Sequence, residues 1–167
     1  FKSANALIET GVKPGDRIGI WAPNTWEWVI AALGVHVAGG VLVPINTRFK
    51  GKEASYVITK ANVSLLFTVT DFLKTNYVKL LEGTDAESQL QEIVVLKGTA
   101  DEKTISFTDF LSRANDSRVR EVQERSEGVS GDDLCHIMFT SGTTGAPKGA
   151  MLKHSAVVRG YNDWADI

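Results

Sequence analysis

Apolar positions along this chain fall into two patterns, short continuous runs and stripes recurring every three or four residues. Continuous runs suit strands buried on both faces, and stripes suit amphipathic helices. Residues 4–9 read as a helix stopped by Gly11, followed by a turn around Pro14 and Gly15. Residues 17–21 form a short strand, ended by Pro23 and Asn24. Asn24 is expected to cap the next helix, with Glu27 three residues on completing a capping box. In that helix Trp26, Val29, Ile30, Leu33 and Val37 form a stripe expected to face inward, and Ala31, Ala32 and Gly34 would permit close approach to a sheet. Gly39 and Gly40 end it before the apolar run 41–43. Strand, helix and buried strand make a βαβ unit, which requires parallel strands and a right-handed crossover.

The alternation continues through a helix at 52–60, with Ala54, Val57 and Ile58 inward, and a strand at 65–69. Asp71 is expected to cap a helix running to Leu81, and 93–96 is another buried strand. A short helix follows at 108–114. Residues 115–133 are polar, and their arginines (Arg118, Arg120, Arg125) are interleaved with Asp116, Glu121, Glu124 and Glu127, as in a solvated surface segment that bridges two parts of the fold. The expected fold class is α/β, a mostly parallel sheet with flanking helices.

Composition narrows the function only a little. The 167 residues are 43% hydrophobic and carry a formal net charge of −2, with no long basic run, so nucleic acid is not the expected partner. Cys135 is the single cysteine, which excludes an internal disulfide and fits a reducing, cytoplasmic setting; in its apolar run it reads as a small buried hydrophobe. His36, His136 and His154 stand far apart without zinc-site spacing and read as packed or surface residues. No transmembrane segment or signal peptide is visible. The opening residues look like a helix already under way and the closing ones like a helix just begun. The chain is therefore expected to be a piece of a longer one.

The chemistry concentrates in residues 137–149. Here an apolar run gives way to three glycines, four hydroxyl side chains and Lys148. Glycines let successive backbone N–H groups converge, hydroxyls donate hydrogen bonds, and the lysine adds full positive charge: a cradle for a polyanion. No carboxylate lies between Asp133 and Asp163 to repel a phosphate. The Walker A pattern fails, because Gly142 and Gly145 are too close and Lys148 is followed by Gly149. The dinucleotide Gly-x-Gly-x-x-Gly and the hydrolase Gly-x-Ser-x-Gly are also absent.

The segment 139–149, Phe-Thr-Ser-Gly-Thr-Thr-Gly-Ala-Pro-Lys-Gly, resembles the phosphate-binding signature of the adenylate-forming (AMP-binding) superfamily. Nearly the whole chain joins in. Residues 11–46, with their Pro-Gly-Asp-Arg turn, Trp-Glu-Trp helix start and Val-Pro-Ile-Asn strand end, resemble the amino-terminal region of acyl-CoA synthetases. Residues 66–69, 92–96 and 161–164 look most like bacterial fatty-acid or steroid-side-chain CoA ligases.

The resemblance implies that Thr140, Ser141, Gly142, Thr143, Thr144 and Gly145 line the β- and γ-phosphates of ATP, and that Lys148 holds the leaving pyrophosphate. It implies Thr140 as a position for a Mg2+ ligand. The implied reaction joins a carboxylic acid, a fatty-acid or related acyl substrate, to CoA through an acyl-adenylate, and residues 1–167 would be a partial amino-terminal AMP-binding domain. The motifs that hold adenine and ribose and the late catalytic lysine have no counterpart here. A non-catalytic or truncated phosphate-binding domain, and a luciferase-like or peptide-synthetase adenylate-former, stay open as alternatives.

Overall fold

A computed structural model describes residues 1–140 and 146–165. The first strand, β1 (Arg17–Trp21), follows helix α1 (Lys2–Glu9) and leads into α2 (Trp26–Val37) and β2 (Val41–Pro44). β1 and β2 pair in parallel, as the βαβ pattern requires. Next come α3 (Gly51–Ala61), β3 (Val63–Val69), α4 (Tyr77–Leu81), α5 (Asp85–Gln89), β4 (Glu92–Lys97), β5 (Ile105–Ser106) and α6 (Phe107–Ser112). A 3-10 turn at Asp116–Arg118 precedes α7 (Val119–Gly128), β6 (Leu134–Thr140), β7 (Lys148–Lys153) and α8 (His154–Ala165).

The seven strands form one sheet in the order β5-β4-β3-β1-β2-β6-β7. Every pairing is parallel except β6 with β7, which is antiparallel. Successive strand residues point to opposite faces, and β1 is buried from Ile18 to Trp21, so both faces are covered. The helices supply that cover in two groups, α1 with α2, α6 and α7, and α3 with α4 and α5. Phe67, Phe107 and Phe110 meet at ring-centroid distances of 5.3–6.3 Å in the core.

Several local expectations are corrected. The cap of α2 is Thr25, not Asn24, and its side chain makes no capping bond. Glu27 then stands at the second helical position rather than the third, too early to close a capping box, and its Oε2 is buried without a protein partner among the described residues. The inward face of α2 is also the other one. Ala31, Ala32, Gly34 and Val35 are buried, whereas Trp26, Val29, Ile30 and Leu33 are exposed. The helix is apolar nearly all round, and the small-residue face wins the interior because it packs closely on α1, not only on the sheet. A Cβ at position 34 would overlap Ser3 of α1. Gly39, at φ +77°, ends the segment as expected.

The expected helix from Asp71 shrinks to α4. Leu73 and Lys74 both have positive φ, which breaks a right-handed helix, and Asn76 is the cap, accepting from the Lys79 N–H at 3.1 Å. The polar stretch 115–133 holds the ordered helix α7, which buries Val122 against the core. Its arginines are paired: Arg118 with Glu9 of α1 and Glu121, Arg120 with Glu124, and Arg125 with Glu121. Arg125 also donates to the Val12 carbonyl at 2.6 Å. Such solvent-screened pairs fix position more than they stabilise.

A buried amide ties the chain's start to this segment. Asn5, 5% exposed, donates to the Asn115 carbonyl and accepts from the Asn115 N–H, both at 2.9 Å. Asn5→Ala strands both backbone groups and should cost about 1–3 kcal/mol, read by denaturant unfolding of the full-length protein. An unchanged midpoint would show that water replaces both bonds.

Candidate functional site

The candidate loop leaves the carboxy-terminal end of β6, where open parallel sheets place their ligands. β6 reaches the sheet by parallel pairing with β2 through Leu42 and His136. β7 then returns beside β6 in register from Thr140–Lys148 down to Leu134–Lys153. Thr140 and Lys148, eight residues apart in sequence, are thus cross-strand partners at the mouth of a hairpin. The Thr140 hydroxyl reaches toward the Lys148 carbonyl at 3.5 Å, a weak contact, and both residues are exposed. The Lys148 ammonium makes no ion pair among the described residues. Ser141, Gly142, Thr143, Thr144 and Gly145 lie outside the described residues. The strand β7 carries no strong apolar run and was not legible as a strand in the sequence.

The far end of the loop is held from below. Tyr56 of α3 donates its hydroxyl to the Pro147 carbonyl at 3.3 Å, and its ring meets Phe139 edge to face at 6.5 Å. A Cβ at Gly149 would press on Ile137 at 2.9 Å and on the Phe139 ring at 3.2 Å, so glycine lets β7 lie flat on these side chains. Nothing in the spacing of Tyr56, ninety-one residues before Pro147, marked it in advance. Tyr56→Phe should lower stability by about 0.5–1.5 kcal/mol in denaturant titrations, the worth of one hydrogen bond, and Tyr56→Ala should cost more because the ring contact goes too. Equal effects of the two variants would assign the ring no role.

A second group of polar side chains gathers toward the other end of β6. His36 of α2, His136 of β6 and His154, the first residue of α8, converge although they are remote in sequence. His36 Nε2 lies 3.1 Å from His136 Nε2, and His36 Nδ1 lies 3.9 Å from the sulfur of Cys135. Burial, helped by the neighbouring histidines, lowers the His36 pKa to about 4, and burial together with His154 lowers that of His136. Both rings are therefore neutral near pH 7, so one can donate to the other. Cys135 is buried as expected, and burial pushes its thiol pKa up.

A seven-stranded sheet, parallel except for its last pair and covered by helices on both faces, defines an α/β protein. The profile of the AMP-binding enzyme family matches residues 2–166, and the chain belongs to that family. Among its relatives, the 3-[(3aS,4S,7aS)-7a-methyl-1,5-dioxo-octahydro-1H-inden-4-yl]propanoyl:CoA ligase of Rhodococcus jostii (strain RHA1) is 38% identical, over 98% of this chain and 32% of its own length. The mitochondrial medium-chain acyl-CoA ligase ACSF2 of Danio rerio is 30% identical, over 94% of this chain and 28% of its own. The chain thus spans about a third of the length of these curated relatives.

Among solved structures, the anthranilate CoA ligase AuaEII in complex with anthranoyl-AMP superposes with a TM-score of 0.77 at 27% identity, over 92% of this chain and 28% of that one. The N-terminal domain of FACL13 from Mycobacterium tuberculosis, inhibitor-bound, gives 0.75 at 26% identity, over 99% of this chain and 38% of that one. The resemblance read from the loop and the expected α/β class are both confirmed. No helix among the described residues is long and apolar enough to cross a membrane.

Proposed function

We propose that the full-length protein is an ATP-dependent carboxylate–CoA ligase, and that residues 1–167 form the amino-terminal part of its AMP-binding domain. The observation that carries this reading is the pairing of Thr140 with Lys148 at the mouth of the β6–β7 hairpin, where the two residues bracket the signature loop. Relatives named for an octahydro-indenyl propanoyl group and for medium-chain acyl groups support a largely hydrocarbon acyl substrate. A cytoplasmic site of action belongs to the same reading: Cys135 is held as a buried free thiol, which fits a reducing compartment.

In this mechanism the loop holds the β- and γ-phosphates while a carboxylate oxygen of the acid attacks the α-phosphorus. The bond from that phosphorus to the bridging oxygen breaks, and pyrophosphate leaves with the added charge. Little covalent work falls to the protein, so positioning and charge stabilisation dominate. The Lys148 ammonium neutralises charge on the leaving pyrophosphate. The hydroxyls of Thr140, Ser141, Thr143 and Thr144 and the backbone N–H groups at Gly142 and Gly145 hold the phosphate oxygens in line. The exposed Thr140 hydroxyl is a hard oxygen donor that fits Mg2+ shared with the nucleotide, which would supply further neutralisation of phosphate charge. The CoA sulfur then attacks the acyl carbon of the adenylate, the bond from that carbon to the AMP oxygen breaks, and AMP and the thiol proton leave.

Lys148→Ala in the full-length protein removes a charge-assisted contact worth about 1.5–3 kcal/mol and should slow adenylate formation by about 10–150-fold. ATP–pyrophosphate exchange across a panel of carboxylic acids measures this and identifies the acid. Exchange by the variant at the unmodified rate, or no exchange with any acid by the unmodified protein, overturns the assignment.

A further inference from the structure

The histidine group at the base of β6 stands apart from the phosphate loop. Cys135 and Thr140 are five residues apart on one strand, about 16 Å at the usual rise per residue. One donor atom each from His36, Cys135 and His154 lies within 4.8 Å of the others. These three side chains come from α2, β6 and α8, so their meeting is a product of the tertiary fold rather than of a local motif. We propose that His36, Cys135 and His154 form a binding site for a thiophilic divalent cation of the Zn2+ class.

Geometry and chemistry both favour it. Tetrahedral zinc with a sulfur at about 2.3 Å and nitrogens at about 2.05 Å sets its sulfur and nitrogen ligands about 3.5 Å apart. The observed 3.9 Å between the Cys135 sulfur and His36 Nδ1 is close to that, and the His154 donor lies within 4.8 Å of the other two. With His36 Nδ1 as ligand, its Nε2–H donates to His136 Nε2 at 3.1 Å. Metal-bound imidazoles use such a bond on the remote nitrogen to fix tautomer and orientation. One thiolate and two imidazoles select Zn2+ or Co2+ over Mg2+ or Ca2+, which prefer oxygen. Binding replaces the thiol proton, which passes to solvent, and the cation offsets the burial that otherwise keeps the thiol protonated. His154 also lines a cavity of about 580 Å³ with Asp133 and Leu134.

Three donors leave a fourth position for water, the arrangement of an open site. The site depends on none of the loop residues, so it stands or falls separately from the ligase reading.

Co2+ titration of the reduced full-length protein, without nucleotide, tests it. One Co2+ should bind per chain, with the strong visible bands of tetrahedral cobalt and a sulfur-to-cobalt charge-transfer band. Cys135→Ser should abolish the charge-transfer band, and His136→Phe should weaken affinity by about 10–100-fold while keeping it. His154→Gln, at a half-exposed helix end, should weaken binding even if Cys135→Ser fails to fold. Zn2+ should raise the melting temperature of the unmodified protein and not that of His154→Gln. No charge-transfer band in the unmodified protein, a band undiminished in folded Cys135→Ser, or unchanged affinity in His154→Gln overturns the proposal.

Discussion

The parallel pairing of β6 with β2 is the contact on which the functional half of this structure depends. It is short, with Leu42 opposite His136, yet it fixes both ends of the strand. At the carboxy-terminal end it delivers Thr140 to the edge of the sheet where the preceding parallel strands also finish. At the other end it presses Cys135 and His136 against His36 of α2. β7 adds an antiparallel return whose register sets Lys148 opposite Thr140. A slip of one residue in this hairpin would turn every β7 side chain to the other face. Gly149 lying on Ile137 and Phe139, and Tyr56 holding Pro147, oppose such a slip.

Much of the sheet was legible because parallel strands buried on both faces leave continuous apolar runs. β1 was read to the residue, and β2, β3 and β4 within one or two positions. β5 was not legible, because two residues carry no pattern, and β7 was not, because an exposed edge strand needs no apolar run. Helix existence was easier to read than helix orientation. The stripe of α2 pointed outward since a helix apolar on several sides offers two candidate faces, and only the close approach of Ser3 to Gly34 chooses between them.

The candidate site divides along the same line. The loop residues announce themselves by composition, because a cradle for phosphate needs glycine, hydroxyl and lysine in one short segment. Tyr56 and the three histidines act from distant segments, and their meeting is decided by strand order. The histidines lacked metal-ligand spacing in sequence for that reason, since three separate elements supply them. Charge follows a third course: of the acids interleaved with Arg118, Arg120 and Arg125, Glu121 and Glu124 pair with them, while Arg118 also reaches Glu9 of α1, a partner that sequence proximity does not show.

In the proposed function the hairpin joining β6 to β7 grips the triphosphate of ATP. A crystal structure of the full-length protein with a non-hydrolysable ATP analogue tests it most directly. The β- and γ-phosphate oxygens should lie within hydrogen-bonding distance, about 2.7–3.2 Å, of Thr140 and Lys148. A triphosphate bound elsewhere, with Thr140 and Lys148 facing solvent, would contradict it.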